Sequence, residues 1–288
     1  MIYCVLVTYN PDFQQLQNTV LSLLPQVDKI VLINNGSTPL NFSGAKIHIV
    51  ELGKNKGIAY AQNRGVEYAI SNQADYVLFS DQDTIYPNDF ITKSVACYQR
   101  HKNEKIAAVV PLFFNENKKQ FARLNTEKTK SVSPEIGKDY YLAHAISSGT
   151  FCHTSVFSTV GLMNERLFID YVDYEWCWRA VKQKYNIVCD TTNTIHHNMG
   201  DSYKTVFGRK IVVYSDFRNY YFFRNGTYLL FHSHLLSLKE WLSFYKFMTV
   251  KAFLFFITCG FSLKHLKLYI KSIFRGMLNT FSAENDFN

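Results

Sequence analysis

Tyr76-Val77-Leu78-Phe79-Ser80-Asp81-Gln82-Asp83-Thr84 is a short apolar run closed by two carboxylates one residue apart. A run of this length, bounded by polar residues, reads as a buried strand. In open α/β sheets, ligands bind beyond the carboxyl ends of the strands. Asp81 and Asp83 are therefore expected at the mouth of a sheet, with Gln82 between them turned elsewhere. Hard oxygen ligands at this spacing suit Mg²⁺ or Mn²⁺ shared with the phosphates of a nucleotide. Taken alone the pair reads better as a solvated turn, since Asp is a common turn residue. The flanking sequence changes that balance.

Working back from this stretch, residues 2–7 read as a first buried strand, ending in Thr8-Tyr9-Asn10-Pro11. Pro11 suits the first position of a helix, where its missing N–H costs nothing. Leu16, Val20, Leu23 and Leu24 follow at helical spacing up to Pro25. Residues 29–33 form a second strand ending in Asn34-Asn35-Gly36-Ser37, and 47–52 a third. Asn55-Lys56-Gly57 then opens a helix through Ala59, Ala61, Val66, Ala69 and Ile70. Strand and helix in alternation predict an α/β fold with a mostly parallel sheet flanked by helices. Thr8, Tyr9, Asn10, Asn35, Asn55, Gly57 and Asp81 then share one sheet edge. Each alone is ordinary loop chemistry; together they can meet a base, a ribose and a pyrophosphate, with Tyr9 offering a ring to the base. No Gly-x-Gly-x-x-Gly follows the first strand and no Gly-Lys-Ser/Thr loop occurs. That disfavours a dinucleotide-dependent dehydrogenase and a P-loop ATPase, and raises the value of a metal at Asp83.

The chain has 288 residues, 47% hydrophobic and 19% charged, enough for a sizeable core and incompatible with disorder. A formal net charge of +8 favours an anionic partner: nucleic acid, sugar nucleotide or acidic lipid. The six cysteines are scattered without a Cys-x-x-Cys pair, which fits a reducing cytosol and argues against a zinc site or disulfide framework. The first residues carry no basic region or cleavage site and read as a strand, not a signal peptide. The polar, basic stretch 113–134 reads as a solvated surface loop.

The order Thr8-Tyr9-Asn10, Asn34-Asn35-Gly36-Ser37, Asn55-Lys56-Gly57, Ala61-Gln62-Asn63-Arg64-Gly65 and Asp81-Gln82-Asp83 resembles glycosyltransferase family 2, inverting enzymes with a Rossmann-like GT-A fold. Asp81-Gln82-Asp83-Thr84 and Asp170-Tyr171-Val172-Asp173-Tyr174-Glu175-Trp176 are most similar to its bacterial rhamnosyltransferases, which use dTDP-L-rhamnose. The likeness covers residues 2 to about 230.

The resemblance implies Asp173 as general base, Asp83 on a divalent metal, Mg²⁺ or Mn²⁺, and Asp81 on ribose or base. It places Thr8, Tyr9, Asn10, Asn35, Asn55, Gly57, Asn63 and Gln82 around the nucleotide-sugar. His197 matches a His-x-x-Gly element that supplies a metal or diphosphate ligand, and His196 can trade places with it. Arg218 or Arg224 would hold the diphosphate. Ser148 and Gly149 would lie near the sugar and acceptor, with Glu175 and Trp176 supporting the acceptor pocket. Plainer roles compete. Asp173 suits a helix N-cap. Glu175 and Arg179 form a favourable i, i+4 pair. Trp176 suits a core, Gly149 a turn of unusual φ, and the arginines a helix interior. The implied donor is dTDP-L-rhamnose ahead of a UDP-hexose, and the implied acceptor a lipid-linked glycan of O-antigen or capsule.

From about residue 235 the chain is aromatic and basic, with Glu240 nearly the only acid before Glu284. Its apolar run, 252–263, spans 12 residues, short of the roughly 20 a membrane-crossing helix needs. It reads as an interfacial helix pair on an anionic membrane surface, or else as a helical cap on the catalytic domain. The expected division is a catalytic domain over 1–232 and a C-terminal segment over 233–288, its last residues from 282 disordered. The expected location is cytoplasmic, peripheral on the inner face of the membrane. A nucleotidyltransferase would show a Gly-rich phosphate loop, which is lacking. A nucleic-acid-binding module would leave Asp83, Asp173 and His197 without a purpose, so no nucleic acid partner is expected.

Overall fold

The apolar runs near the N-terminus present no polar side to water, so each must be covered on both faces, and each forms an interior strand. A computed structural model describes residues 1–116, 119–126, 131–197, 203–206, 209–281 and 287, with the backbone alone at 197, 203, 206, 209 and 210. The first half runs β1 (Ile2–Thr8), α1 (Phe13–Leu23), β2 (Lys29–Asn34), β3 (Ile47–Glu51), α2 (Ile58–Ser71), β4 (Tyr76–Ser80), α3 (Phe90–Arg100) and β5 (Ile106–Asn115). Short strands follow: β6 (Gln120–Phe121), β7 (Leu124–Asn125), β8 (Ser131–Val132), β9 (Tyr140–Tyr141) and β10 (Phe151–His153). Then come α4 (Val156–Val160), α5 (Val172–Lys182), β11 (Asn186–His197) and a hairpin of β12 (Tyr203–Val206) and β13 (Arg209–Val212). Three helices close the chain: α6 (Asp216–His232), α7 (Leu238–Cys259) and α8 (Leu263–Leu278).

The sheet order is β3-β2-β1-β4-β10-β5-β11-β9. β1 lies parallel between β2 and β4, with Thr8 beside Asn34 and Leu6 beside Ser80. The carboxyl ends of these strands therefore open on one edge, as the alternating pattern requires. β10 enters antiparallel between β4 and β5, and β5 pairs parallel with β11. Apolar side chains fill both faces of the sheet. A separate aromatic cluster, including Tyr171, Phe223, Met248 and Phe255, ties α6 and α7 to the start of α5.

Local details differ from the sequence expectation. Asp12 caps α1, its Oδ1 accepting from the Gln15 N–H at 2.9 Å, so Pro11 precedes the cap and is not the first helical residue. Within 113–134 the described residues are not all solvated loop: β5 continues to Asn115, and β6 pairs back on it. The stretch 252–263 is not one element. α7 ends at Cys259, and its 22 residues begin at Leu238, where Ser237 and Glu240 form a capping box. By length and composition alone α7 is able to cross a membrane. Counting only the uninterrupted apolar run missed this, because scattered lysines divide the sequence without ending the helix.

Nor does the C-terminal segment hang free. A Cβ on Gly276 of α8 would lie 2.4 Å from the Arg224 carbonyl oxygen, so only glycine permits α8 to cross α6 this closely. Past α8, the Arg166 guanidinium donates to the Asn279 side-chain oxygen at 2.7 Å and to the Phe281 carbonyl at 3.0 Å. Of the expected disordered end, 282–286 and 288 lie outside the described residues.

Candidate active site

A cleft of about 570 Å³ lies beyond the carboxyl end of β4, with Asp81, Ser147, Asp170, Asp173, Arg218 and Lys251 among its lining residues. Asp173 stands in the first turn of α5, where Tyr171 is the capping residue. The cap role expected as its plainer alternative is thus taken by another residue. The Asp173 Oδ1 accepts only the neighbouring Tyr174 N–H, at 2.9 Å, among the described hydrogen bonds. Burial pushes the Asp173 carboxyl from 3.8 up to about 7, and the negative charges of Asp170 and Asp81 add to the rise. A carboxylate with that pKa in a cleft is poised to take a proton near neutral pH.

The loop before α5 is forced into place. Phe168, Asp170 and Tyr171 all have φ near 63°, which for residues with a Cβ costs about 1–3 kcal/mol each. Asn225 of α6 offsets this: its amide donates to the carbonyls of Leu167 and Ile169 at 2.7 Å and Asp170 at 3.0 Å. The buried Arg224 guanidinium holds the Asn225 side-chain oxygen and donates to the Arg166 and Leu167 carbonyls at 2.9 and 3.0 Å. From the other side the Ile58 N–H donates to the Phe168 carbonyl at 2.7 Å. Gly57, at φ 87°, is required here, because a Cβ would sit 2.7 Å from that same carbonyl oxygen.

The two arginines of α6 differ in position. Arg224 is wholly enclosed, whereas Arg218 lines the cleft and donates to the Asp170 Oδ1 at 3.1 Å. Burial raises the Asp170 carboxyl and Arg218 opposes the rise. The other Asp170 oxygen is buried without a hydrogen-bond partner among the described residues.

Along the donor edge, several expected ligands shape the loops. Asn35 donates to the Asn55 side-chain oxygen at 3.1 Å, and that oxygen also accepts the Gly57 N–H at 2.9 Å. The Asn35 oxygen accepts the Lys56 N–H at 2.7 Å. Gln82 does turn from the cleft: its side-chain oxygen accepts the Tyr9 N–H at 2.8 Å, tying the end of β1 to the turn after β4. Thr8 is buried, its hydroxyl donating to the Ile33 carbonyl at 3.4 Å. Tyr9 and Asn10 remain exposed, Asn10 at φ 44°.

Asn63, expected at the nucleotide-sugar, and three expected pocket residues, Glu175, Trp176 and Ser148, are turned to partners within the protein. Asn63 is buried and exchanges both amide functions with the Met163 backbone at 2.8 and 2.9 Å, so it is a clasp between α2 and a distant loop. Glu175 is buried and paired with Arg179 at 2.8 Å. The Trp176 indole N–H donates to the Gly161 carbonyl at 2.9 Å while its ring packs on Phe157. Ser148 is buried in a 2.9 Å hydrogen bond with Thr84. Gly149, at φ 76°, makes the turn that leaves its neighbour Ser147 facing the cleft. The plainer alternatives thus describe Glu175, Trp176 and Gly149: the first two spend their polar groups on Arg179 and Gly161, and of these residues and Asp173 only Asp173 lines the cleft.

Asp83 is exposed on the turn two residues beyond Asp81. Ile85, two residues further, bridges antiparallel to His196. The end of β11 is therefore beside the Asp-Gln-Asp turn although more than a hundred residues separate them. The His196 ring is hydrogen-bonded to Glu116. The His197 side chain and Gly200 lie outside the described residues. Sequence reasoning missed Ser147, Tyr174, Tyr214, Phe222 and Lys251 on the cleft wall. Asp170 was within a quoted motif and given no role.

Residues 3–160 match the family profile described as glycosyl transferase family 2. The chain belongs to glycosyltransferase family 2. It is also 34% identical over 256 residues to a dTDP-rhamnosyl transferase, RfbF, of Shigella flexneri, covering 83% of this chain and 84% of that protein. Among solved structures, residues 1–349 of S. aureus TarS match with a TM-score of 0.60 at 13% identity, over 96% of this chain and 80% of that one. GalNAc-T7 with UDP, GalNAc and Mn²⁺ matches with a TM-score of 0.57 at 13% identity, over 86% of this chain and 54% of that one. At such identities the likeness is one of fold, and it is the GT-A fold. This family 2 protein is a glycosyltransferase, and its cleft lies where the fold places ligands, beyond the carboxyl end of β4.

Proposed function

We propose that this chain is an inverting rhamnosyltransferase that moves L-rhamnose from dTDP-L-rhamnose to a hydroxyl of a lipid-linked glycan in bacterial surface polysaccharide synthesis. The observation that carries the chemistry is Asp173, a carboxyl with a pKa of about 7 in the cleft that Asp81 also lines. The donor rests on the likeness to the Shigella protein. Asp173 takes the proton of the acceptor hydroxyl as its oxygen attacks the anomeric carbon from the face opposite the nucleotide, which gives inversion. Arg218, held by Asp170, stands ready for a diphosphate oxygen, a task guanidinium geometry suits.

The site fits a divalent cation. Three carboxylates, Asp81, Asp170 and Asp173, face one cleft, and their mutual repulsion is relieved by added positive charge. Asp83, with His197 from the adjoining strand end, would hold Mg²⁺ or Mn²⁺, hard-donor ions in this setting. Such an ion neutralises charge on the leaving diphosphate. Asp83→Ala should abolish the rise in Tm that dTDP-L-rhamnose with Mn²⁺ gives the wild type, because a ligand that binds only the native state stabilises it. A panel including UDP-glucose tests the donor. Stabilisation by UDP-glucose alone would exclude rhamnose.

The C-terminal helices fit a peripheral place on the cytoplasmic face of the membrane. Leu266, Ile270 and Phe274 of α8 are 44%, 47% and 60% exposed, and Lys264, Lys267 and Lys271 run alongside them. Apolar stripe and basic flank together suit an anionic lipid surface. Replacing Ile270 and Phe274 by Glu should release the protein from phosphatidylglycerol vesicles in a sedimentation assay while leaving donor binding intact. Unchanged sedimentation would remove α8 as the contact.

A further inference from the structure

α7 has two different faces. Leu242, Val250 and Phe253 are 54%, 48% and 58% exposed. Phe247, itself 42% exposed, and the half-buried Lys251 line the same cleft as Asp81 and Asp173. Lys251 is half-buried, with its ammonium 5.6 Å from the centre of the Phe247 ring. Burial holds its pKa below the ordinary lysine value. Among the described residues no carboxylate or hydrogen-bond acceptor pairs with it, whereas Arg218 in the same cleft is paired with Asp170. A half-desolvated cation without a counter-ion at the wall of a cleft is arranged for an anionic ligand.

That ligand has two possible sources, the donor diphosphate and a phosphate on the acceptor. The donor edge is formed by the ends of β1 and β4, while Lys251 comes from α7 on another wall. α7 also carries the exposed apolar side chains Leu242, Val250 and Phe253. A lipid-linked acceptor needs, in order, apolar surface for its chain, a cation for its phosphate and a base for its hydroxyl. The exposed side chains of α7 offer the first, and Lys251 and Asp173, which line one cleft, offer the other two.

We propose that Lys251 binds the phosphate of a lipid-linked acceptor and thereby sets which acceptor hydroxyl reaches Asp173. The proposal rests on the lipid-linked acceptor of the reading above. Lys251 makes no covalent bond and moves no proton; it is a binding residue. Its place on α7 couples the membrane-facing helix to acceptor selection.

The test uses full-length protein and two soluble probes, decyl diphosphate and the uncharged decyl β-glucoside, with binding followed calorimetrically. Lys251→Met keeps the aliphatic stem and removes the charge. It should weaken decyl diphosphate binding roughly tenfold or more, the scale of a hydrogen bond to a charged group. Lys251→Arg should restore most of it, decyl β-glucoside binding should not change, and dTDP-L-rhamnose affinity should stay at the wild-type value. Lys246→Met, on the exposed side of α7, serves as the control for general surface charge and should behave as wild type. Equal losses in Lys246→Met and Lys251→Met, or a loss of dTDP-L-rhamnose affinity in Lys251→Met, would overturn the assignment. Wild type that binds dTDP-L-rhamnose but not decyl diphosphate would overturn the phosphate site and leave the transferase reading intact. Wild type that binds decyl diphosphate through Lys251 but no nucleotide-sugar would support the site and overturn the donor reading.

Discussion

Asp173→Asn is expected to lower sugar transfer by roughly 10²–10⁴-fold, the usual contribution of a general base, while nucleotide-sugar binding is unchanged. The amide has the shape of the carboxylate and cannot take the proton. The same substitution should stabilise the fold. Burial raises the Asp173 pKa from 3.8 to about 7, so the native state holds a proton that the unfolded chain releases over that interval. The stability linked to this proton is fully present below pH 3.8 and is lost as pH rises through about 7. Asn carries no such penalty. The gain above neutral pH is roughly 2–4 kcal/mol, at the lower end because the carboxyl faces a solvated cleft. Tm compared between variant and wild type should differ most above pH 7 and converge towards pH 4. In the wild type, kcat/KM should fall about tenfold for each pH unit below the Asp173 pKa. Near-full turnover by Asp173→Asn would end the assignment of the base.

Arg224→Ala should destabilise the protein by about 3–5 kcal/mol, the range for breaking a buried charge network. The guanidinium is fully enclosed, stacked over the rings of Tyr221 and Phe281 at 4.4 and 4.2 Å. Its loss takes the Arg224 donor from the Arg166 carbonyl, leaves the Leu167 carbonyl with Asn225 alone of its two donors, and frees the Asn225 side-chain oxygen, whose amide holds the strained turn before Asp173. Transfer activity should therefore fall along with stability, although Arg224 touches no substrate. Arg224→Lys keeps the charge without the fork and should lie between the two. Truncation after His232 strips α8 from this same site, so the shortened chain should be insoluble and not merely detached from membranes. Urea denaturation monitored by tryptophan fluorescence measures the first effect. A loss below about 1 kcal/mol in Arg224→Ala would mean the clamp is not what holds the loop.

These two results bear on how the enzyme joins its parts. Asp173 is carried by α5, the loop before α5 is pinned by α6, and α6 packs against α7 and α8, which carry the exposed apolar side chains. The exposed apolar helices and the Asp173 carboxyl are thus joined through Arg224 and Asn225, neither of which lies on the β1 and β4 edge.

Sequence and structure divide along physical lines. Buried strands are dictated by local apolar runs, so residues 2–7, 29–33 and 76–79 announced the parallel sheet, and the edge bearing Thr8, Asn35, Asn55 and Asp81 followed from strand direction. The carboxylate after β4 and the carboxylate at the start of α5 stood out through the resemblance of their motifs to family 2, since each alone reads as a turn or a helix cap. Where each polar side chain turned was not legible. Asn63 faces Met163, Glu175 faces Arg179 and Ser148 faces Thr84, and each of these pairings depends on how elements pack. Only the tertiary structure separated Arg218 from Arg224, since one helix carries both and the difference lies in what covers each face. It alone brought Lys251 into the cleft. The amino-acid order settles which segments must be buried; which neighbour a polar group meets is settled by long-range packing, where a few ångströms decide between a brace and a binding residue.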